Sequence, residues 1–109
     1  GTVSRADYAV IVSTDLTPAE LSARIAALLD SPEVIQTRIR RQKEETFNLR
    51  PLLHSLTLQQ ISGGKAHLSM QLAAGQHGNL RPGAVLTALG IDNPWYQAER
   101  TKLHLTFDS

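Results

Sequence analysis

The apolar patterning of this sequence predicts an α+β sandwich, an antiparallel sheet with two helices on one of its faces. Three observations carry that reading. Runs of period two and runs of helical period follow one another as strand, helix, strand, hairpin, helix, strand. The pair Gly63-Gly64 separates two alternating runs and marks the hairpin. Pro18 and Pro82 each open a helical pattern, and a residue with fixed φ and no N–H suits a first helical turn. Elements in this order form the ferredoxin-like arrangement.

Tyr8 to Val12 is rich in β-formers and reads as a buried strand. Thr17-Pro18-Ala19-Glu20 has the form of a capping box, with Thr17 as N-cap and Glu20 three residues on. The helix that follows gathers Leu21, Ile25, Leu28 and Leu29 on one face, and Asp30-Ser31-Pro32 ends it. Val34 to Arg41 alternates, with Ile35 and Ile39 on one side and Gln36, Arg38 and Arg40 on the other. Gln42 to Glu45 reads as a polar turn and Thr46-Phe47-Asn48 as a short return strand. One helical turn, Leu52 to His54, precedes the hairpin of Leu56–Ile61 and Ala66–Leu72. Gly75 to Gly78 is a flexible loop, and Pro82 to Leu89 is a helix stopped by Gly90. Asp92-Asn93-Pro94-Trp95 is a turn. The last strand, Glu99 to Phe107, sends Leu103, Leu105 and Phe107 inward. A shared core of Ile25, Leu28, Ile39, Leu58, Leu68, Met70, Leu86, Leu103 and Leu105 is expected.

A chain of 109 residues suits one domain with a single core. Its opening Gly1-Thr2, without methionine, points to a domain excised from a longer protein. A formal net charge of +1 gives no global argument for nucleic acid or for an anionic membrane. With no cysteine the chain can form neither a disulfide nor a thiolate metal site. No apolar run reaches the length of about 18 residues that a spanning helix needs, and no leader pattern opens the chain. The expected location is therefore the cytoplasm, without membrane contact.

One tetrapeptide occurs twice, as Asn48-Leu49-Arg50-Pro51 and Asn79-Leu80-Arg81-Pro82. In each copy proline extends the residue before it, so an arginine stands at a corner leading into a helix. The helix start is already positive, so both arginines need an anion or free solvation. Internal carboxylates would serve, with Asp92 and Glu99 as candidates. The functional reading is an anion or substrate site built from Asn48, Arg50, His77, Asn79 and Arg81.

The run Phe47 to Leu53 and the run Gly75 to Gly90 (GQHGNLRPGAVLTALG) carry a resemblance. They resemble the C-terminal half of a domain of unknown function found in radical-SAM-linked proteins, matching in order and spacing over residues 5 to 107. That domain stands alone or follows a radical SAM protein with a cobalamin-binding-type region. Its pattern is a hydrophobic-Arg-Pro unit, a Gly-containing loop, a second such unit and a helix ending in Leu-Gly. Asn48 departs from it, because an acidic residue is frequent there. The resemblance implies a non-catalytic accessory domain whose partner is the rest of a radical SAM enzyme. The iron–sulfur cluster and S-adenosylmethionine are expected elsewhere in that parent, with no cofactor or metal in this domain.

The open sheet face supports an alternative, an RNA-binding domain. Expected there are Gln36, Arg38, Arg40, Gln59, His67, Gln71, Arg100, Lys102 and His104, with Arg38, Arg40, Arg100 and Lys102 as the nucleic-acid contacts. RNA-binding sheets of this topology stack bases on aromatic residues, and no outward position here is aromatic. Catalytic constellations are scarce. The histidines His54, His67, His77 and His104 lack the close spacing of a zinc motif, and neither His67 nor His104 has a carboxylate at a telling interval. Glu44-Glu45 is the only adjacent carboxylate pair and falls in a turn.

Overall fold

The structure, a computed structural model, describes residues 2–75, 78–92 and 94–107, and the side chains of residues 4–75, 78–92 and 94–105. The elements are β1 (Thr2–Ser13), α1 (Pro18–Asp30), β2 (Ile35–Arg40), β3 (Lys43–Asn48), β4 (Leu53–Ser62), β5 (Lys65–Ala73), α2 (Pro82–Ala88) and β6 (Tyr96–Phe107). A 3-10 turn over Arg50–Leu52 leads into β4. The main sheet is antiparallel in the order β4-β5-β1-β6. With α1 after the first of its strands and α2 after the third, this is the ferredoxin-like α+β sandwich.

Local chemistry sets the ends of the elements. Thr17 Oγ1 accepts from the N–H of Glu20 and Glu20 Oε1 from that of Thr17, each at 3.1 Å, so the capping box starts α1. Gly63 (φ 60°) and Gly64 (φ 74°) supply the two left-handed residues of the β4–β5 turn. Gly90 (φ 78°) ends α2, and Arg24 Nη1 donates to the Leu89 carbonyl at 2.9 Å, tying α1 to the C-terminal end of α2. Leu21, Ile25 and Leu28 of α1 join Val85 and Leu86 of α2 over Val10, Val12, Leu56, Leu68, Met70 and Leu72 in one core cluster.

The sequence-based assignment of β2 needs correction. Residues 35–40 do not enter the main sheet. They pair over their whole length with residues 43–48 in a separate two-stranded hairpin inserted between α1 and β4. The turn was hidden because it contains neither glycine nor asparagine. Arg41 (φ 52°) and Gln42 (φ 64°) both adopt the left-handed conformation, at a cost of about 1 kcal/mol or more per residue. The sidedness is reversed as well. Gln36, Arg38 and Phe47 are half-buried against the body, whereas Ile35 is 58% exposed and Ile39 is 80% exposed. Ile39 is therefore not a core residue.

Leu103 and Leu105 also fall outside the core, at 44% and 54% exposure, although they pair with Ala6 and Ser4 on the helix side. The reason is length. The seven residues of α2 span about 10 Å, whereas the twelve of the edge strand β6 span about 40 Å. Most of the edge strand thus lies beyond the cover of the helix. Leu103→Ala is expected to cost about 1 kcal/mol or less in a denaturant titration. A loss above about 2 kcal/mol would mean that something covers this strand in solution. Leu58 is half-buried and packs against the cluster, and Ile25, Leu28, Leu68, Met70 and Leu86 are core as expected.

A bulge alters β6 further. Tyr8 faces Arg100 and Asp7 faces Lys102, which leaves Thr101 as the extra residue. Arg100 therefore shares the helix side with Tyr8, and Lys102 shares the open face with Asp7.

Candidate functional site

The two tetrapeptides bury their leucines alike but diverge in backbone and at their arginines. Arg81 is the extended N-cap of α2 as expected, whereas Arg50 lies within a 3-10 turn capped at Leu49. Leu49 is 0% exposed and Leu80 is 2% exposed, so each leucine is a core wedge. The N–H of Leu49 donates to the Val34 carbonyl at 2.7 Å, and that of Leu80 to the Ala73 carbonyl at 2.9 Å. Asn48 Oδ1 accepts from the N–H groups of Val34 (2.9 Å) and Arg50 (3.3 Å), which makes Asn48 a turn residue. Arg50 turns inward: Nη1 donates to the Leu53 carbonyl at 2.8 Å and Nη2 to the Leu29 carbonyl at 3.1 Å. Its guanidinium therefore closes the C-terminal end of α1, where a cation is favoured. Its partners are carbonyls rather than Asp92 or Glu99.

Arg81 behaves differently. It is exposed, and no carboxylate among the described residues lies within ion-pair distance of it. With Asn79 it borders a groove of about 980 Å³. One wall is β2 from Gln36 to Arg40 together with Phe47; the other is the segment Gly78 to Arg81 and the outer face of α2 at Gly83, Ala84 and Thr87, with Tyr96 beside it. Gln36 Nε2 donates to the Ala84 carbonyl at 2.9 Å and clasps the hairpin to α2. A Cβ on Gly83 would lie 2.8 Å from Tyr96 Oη, so the absent side chain lets the tyrosine close against the helix.

Three arginines, Arg38, Arg40 and Arg81, line this groove, and none of its described lining residues is acidic. Arg38 lies over the Phe47 ring at 4.5 Å. Its Nε is buried and lacks a hydrogen-bond partner, the nearest carboxylate oxygen being Glu45 Oε2 at 3.9 Å. That separation is a loose ion pair, outside hydrogen-bonding range. The sequence-based candidates are thus redistributed. Asn79, Arg81, Arg38 and Arg40 come together; Asn48 and Arg50 serve the fold; His77 lies outside the described residues, as does Asn93 of the expected turn. Arg38, Arg40, Arg100 and Lys102 do not form one basic sheet face, because the first two ride on the hairpin and the bulge separates the last two. The convergence was not legible in sequence, since it joins residues about forty positions apart across a hairpin whose turn was hidden.

The family of uncharacterised proteins conserved in bacteria designated DUF2344 matches residues 1–82. The chain belongs to this family. The DUF2344 match takes in both tetrapeptides and the β2–β3 hairpin and ends at Pro82, so most of α2 and all of β6 lie beyond it. No curated protein and no solved structure matches the chain.

On the opposite, open face, Asp7 Oδ2 lies 2.9 Å from His104 Nε2, and Asp7 Oδ1 accepts from Gln71 Nε2 at 3.0 Å. Those hydrogen bonds, His104 first, hold the Asp7 carboxyl below its ordinary value. His104 thus has the carboxylate partner that spacing did not reveal, because β6 brings it beside a residue 97 positions away. The network links β6 through β1 to β5. Among the described residues no cluster of His, Cys, Asp or Glu could hold a metal ion, and no helix is long and apolar enough to cross a membrane.

Proposed function

We propose that this is a non-catalytic accessory domain of a radical-SAM-linked protein, and that the groove beside α2 receives an anionic part of the substrate or of a partner domain. The observation that supports the reading is the groove lining: three arginines and no lining carboxylate among the described residues, the nearest being Glu45 at 3.9 Å from Arg38. Arg40 and Arg81 have no carboxylate within ion-pair distance among the described residues, and Arg38 has only that loose contact. Cations gathered with so little counter-charge repel one another, and an incoming anion relieves that cost. Guanidinium groups suit phosphate or carboxylate because their donors form a planar fork. Among the described lining residues there is no histidine, cysteine or carboxylate, and the one tyrosine, Tyr96, has its hydroxyl against Gly83, so the groove is furnished for holding rather than for reacting. In this reading the iron–sulfur cluster and S-adenosylmethionine belong to the rest of a cytoplasmic parent protein, which performs the reaction.

Calorimetric titration with tripolyphosphate tests the site. Arg40→Ala and Arg81→Ala are each expected to weaken binding about threefold to tenfold, equivalent to roughly 0.7–1.4 kcal/mol, with the melting temperature unchanged. Absence of any heat at millimolar tripolyphosphate would remove the anion site.

A further inference from the structure

We infer that the groove and the adjoining hairpin hold a single strand of nucleic acid by its phosphates. The inference rests on the anion reading of the groove and names the anion. A free phosphate or a carboxylate would occupy one or two guanidinium groups, whereas the cations here are strung out. Arg38 and Arg40 share one face of β2, and alternate residues of a strand lie about 6–7 Å apart. Successive phosphates of an extended sugar–phosphate chain can match that interval. Beyond the groove residues 38–43 read Arg-Ile-Arg-Arg-Gln-Lys, four cations in six positions, against the two carboxylates Glu44 and Glu45 on the opposite strand, which leaves the hairpin net positive. The left-handed turn at Arg41 and Gln42 carries this run to the tip of the hairpin.

Flat surfaces accompany the charges. Arg38 rests on Phe47 at 4.5 Å, and its side chain stays 39% exposed. Its guanidinium plane is thus held in place for a base to stack upon. Tyr96, 43% exposed, offers a second platform along the groove. Stacking of this kind needs bases freed from a duplex, which selects a single strand. The site differs from an RNA-binding sheet, because here the hairpin and α2 supply the contacts and the open sheet face supplies none.

Fluorescence anisotropy with labelled RNA and DNA strands of mixed sequence, about ten nucleotides long, tests the inference on the full chain. Single-strand binding loses about 0.7 in the slope of log K against log salt for each phosphate neutralised. The three groove arginines therefore predict a slope of about −2 or steeper, to which Arg41 and Lys43 add where the strand follows the hairpin. Arg40→Ala and Arg81→Ala should each reduce its magnitude by about 0.7, and Lys102→Ala, on the open face, should leave it unchanged. Both arginines are exposed, so the variants keep the fold. Binding of either strand with these slopes supports the inference, and tighter binding of RNA adds that the 2′-hydroxyl is sensed. If tripolyphosphate binds and neither strand does, the inference fails while the anion site stands. If nothing binds, both fail. A loss with Lys102→Ala equal to that with the arginine variants would move the site to the open face and overturn the inference.

Discussion

Leu49→Ala is expected to destabilise the domain by roughly 2–5 kcal/mol, the range for emptying a buried leucine site. The side chain is fully buried within the core cluster, and its neighbours on both sides are held in place. Asn48 is bonded to the Val34 and Arg50 N–H groups, and the Leu49 N–H itself to the Val34 carbonyl. The backbone therefore has little freedom to collapse into the space, which places the expected cost towards the upper part of the range. Leu80→Ala should behave similarly, since Leu80 occupies the equivalent place in the second tetrapeptide at 2% exposure. Denaturant titration measures both. A loss below about 1 kcal/mol for Leu49→Ala would show that the segment is not wedged into the core as described.

The two arginines should separate sharply in the same assay. Arg50→Ala removes charge-assisted hydrogen bonds to the Leu53 and Leu29 carbonyls, and hydrogen bonds to charged groups contribute about 1.5–3 kcal/mol. Half-burial reduces that contribution, so a destabilisation of about 2 kcal/mol is expected. Arg50→Lys should recover only part of it, because an ammonium is a point donor and cannot span two carbonyls as a planar fork does. Arg81→Ala should change stability by no more than about 0.5 kcal/mol, as is usual for an exposed side chain. Equal losses at the two positions would contradict the divergence of the guanidinium groups. A loss at Arg50 restored fully by lysine would mean that charge alone, rather than bridging geometry, acts at the end of α1.

Much of the fold was legible in residues whose local chemistry has few solutions. The Thr17–Glu20 capping box, the Gly63-Gly64 turn, Pro82 at the start of α2 and Gly90 at its end each act within a few residues, and each is found where the pattern put it. These features determine the order of the main elements, and that order determines the ferredoxin-like class. The groove was not legible in the same way. Alternation in residues 35–40 defines two faces but not which one the rest of the chain will cover. The Gln36–Ala84 bond and the seat of Phe47 against the core turn the polar face inward and leave Ile35 and Ile39 outside.

By itself, then, the sequence determined the local starts and stops, the class of fold and the repetition of Asn-Leu-Arg-Pro. Only the tertiary structure decided what each copy does. Arg50 meets a carbonyl 21 residues away at the end of α1, whereas Arg81 borders a groove shared with Arg38 and Arg40. The repeated tetrapeptide buries its leucine in both copies, but even its backbone takes two forms, a 3-10 turn that includes Arg50 and an extended Arg81 that caps α2. The fate of its long cationic side chain depends on distant groups, which packing alone brings within reach.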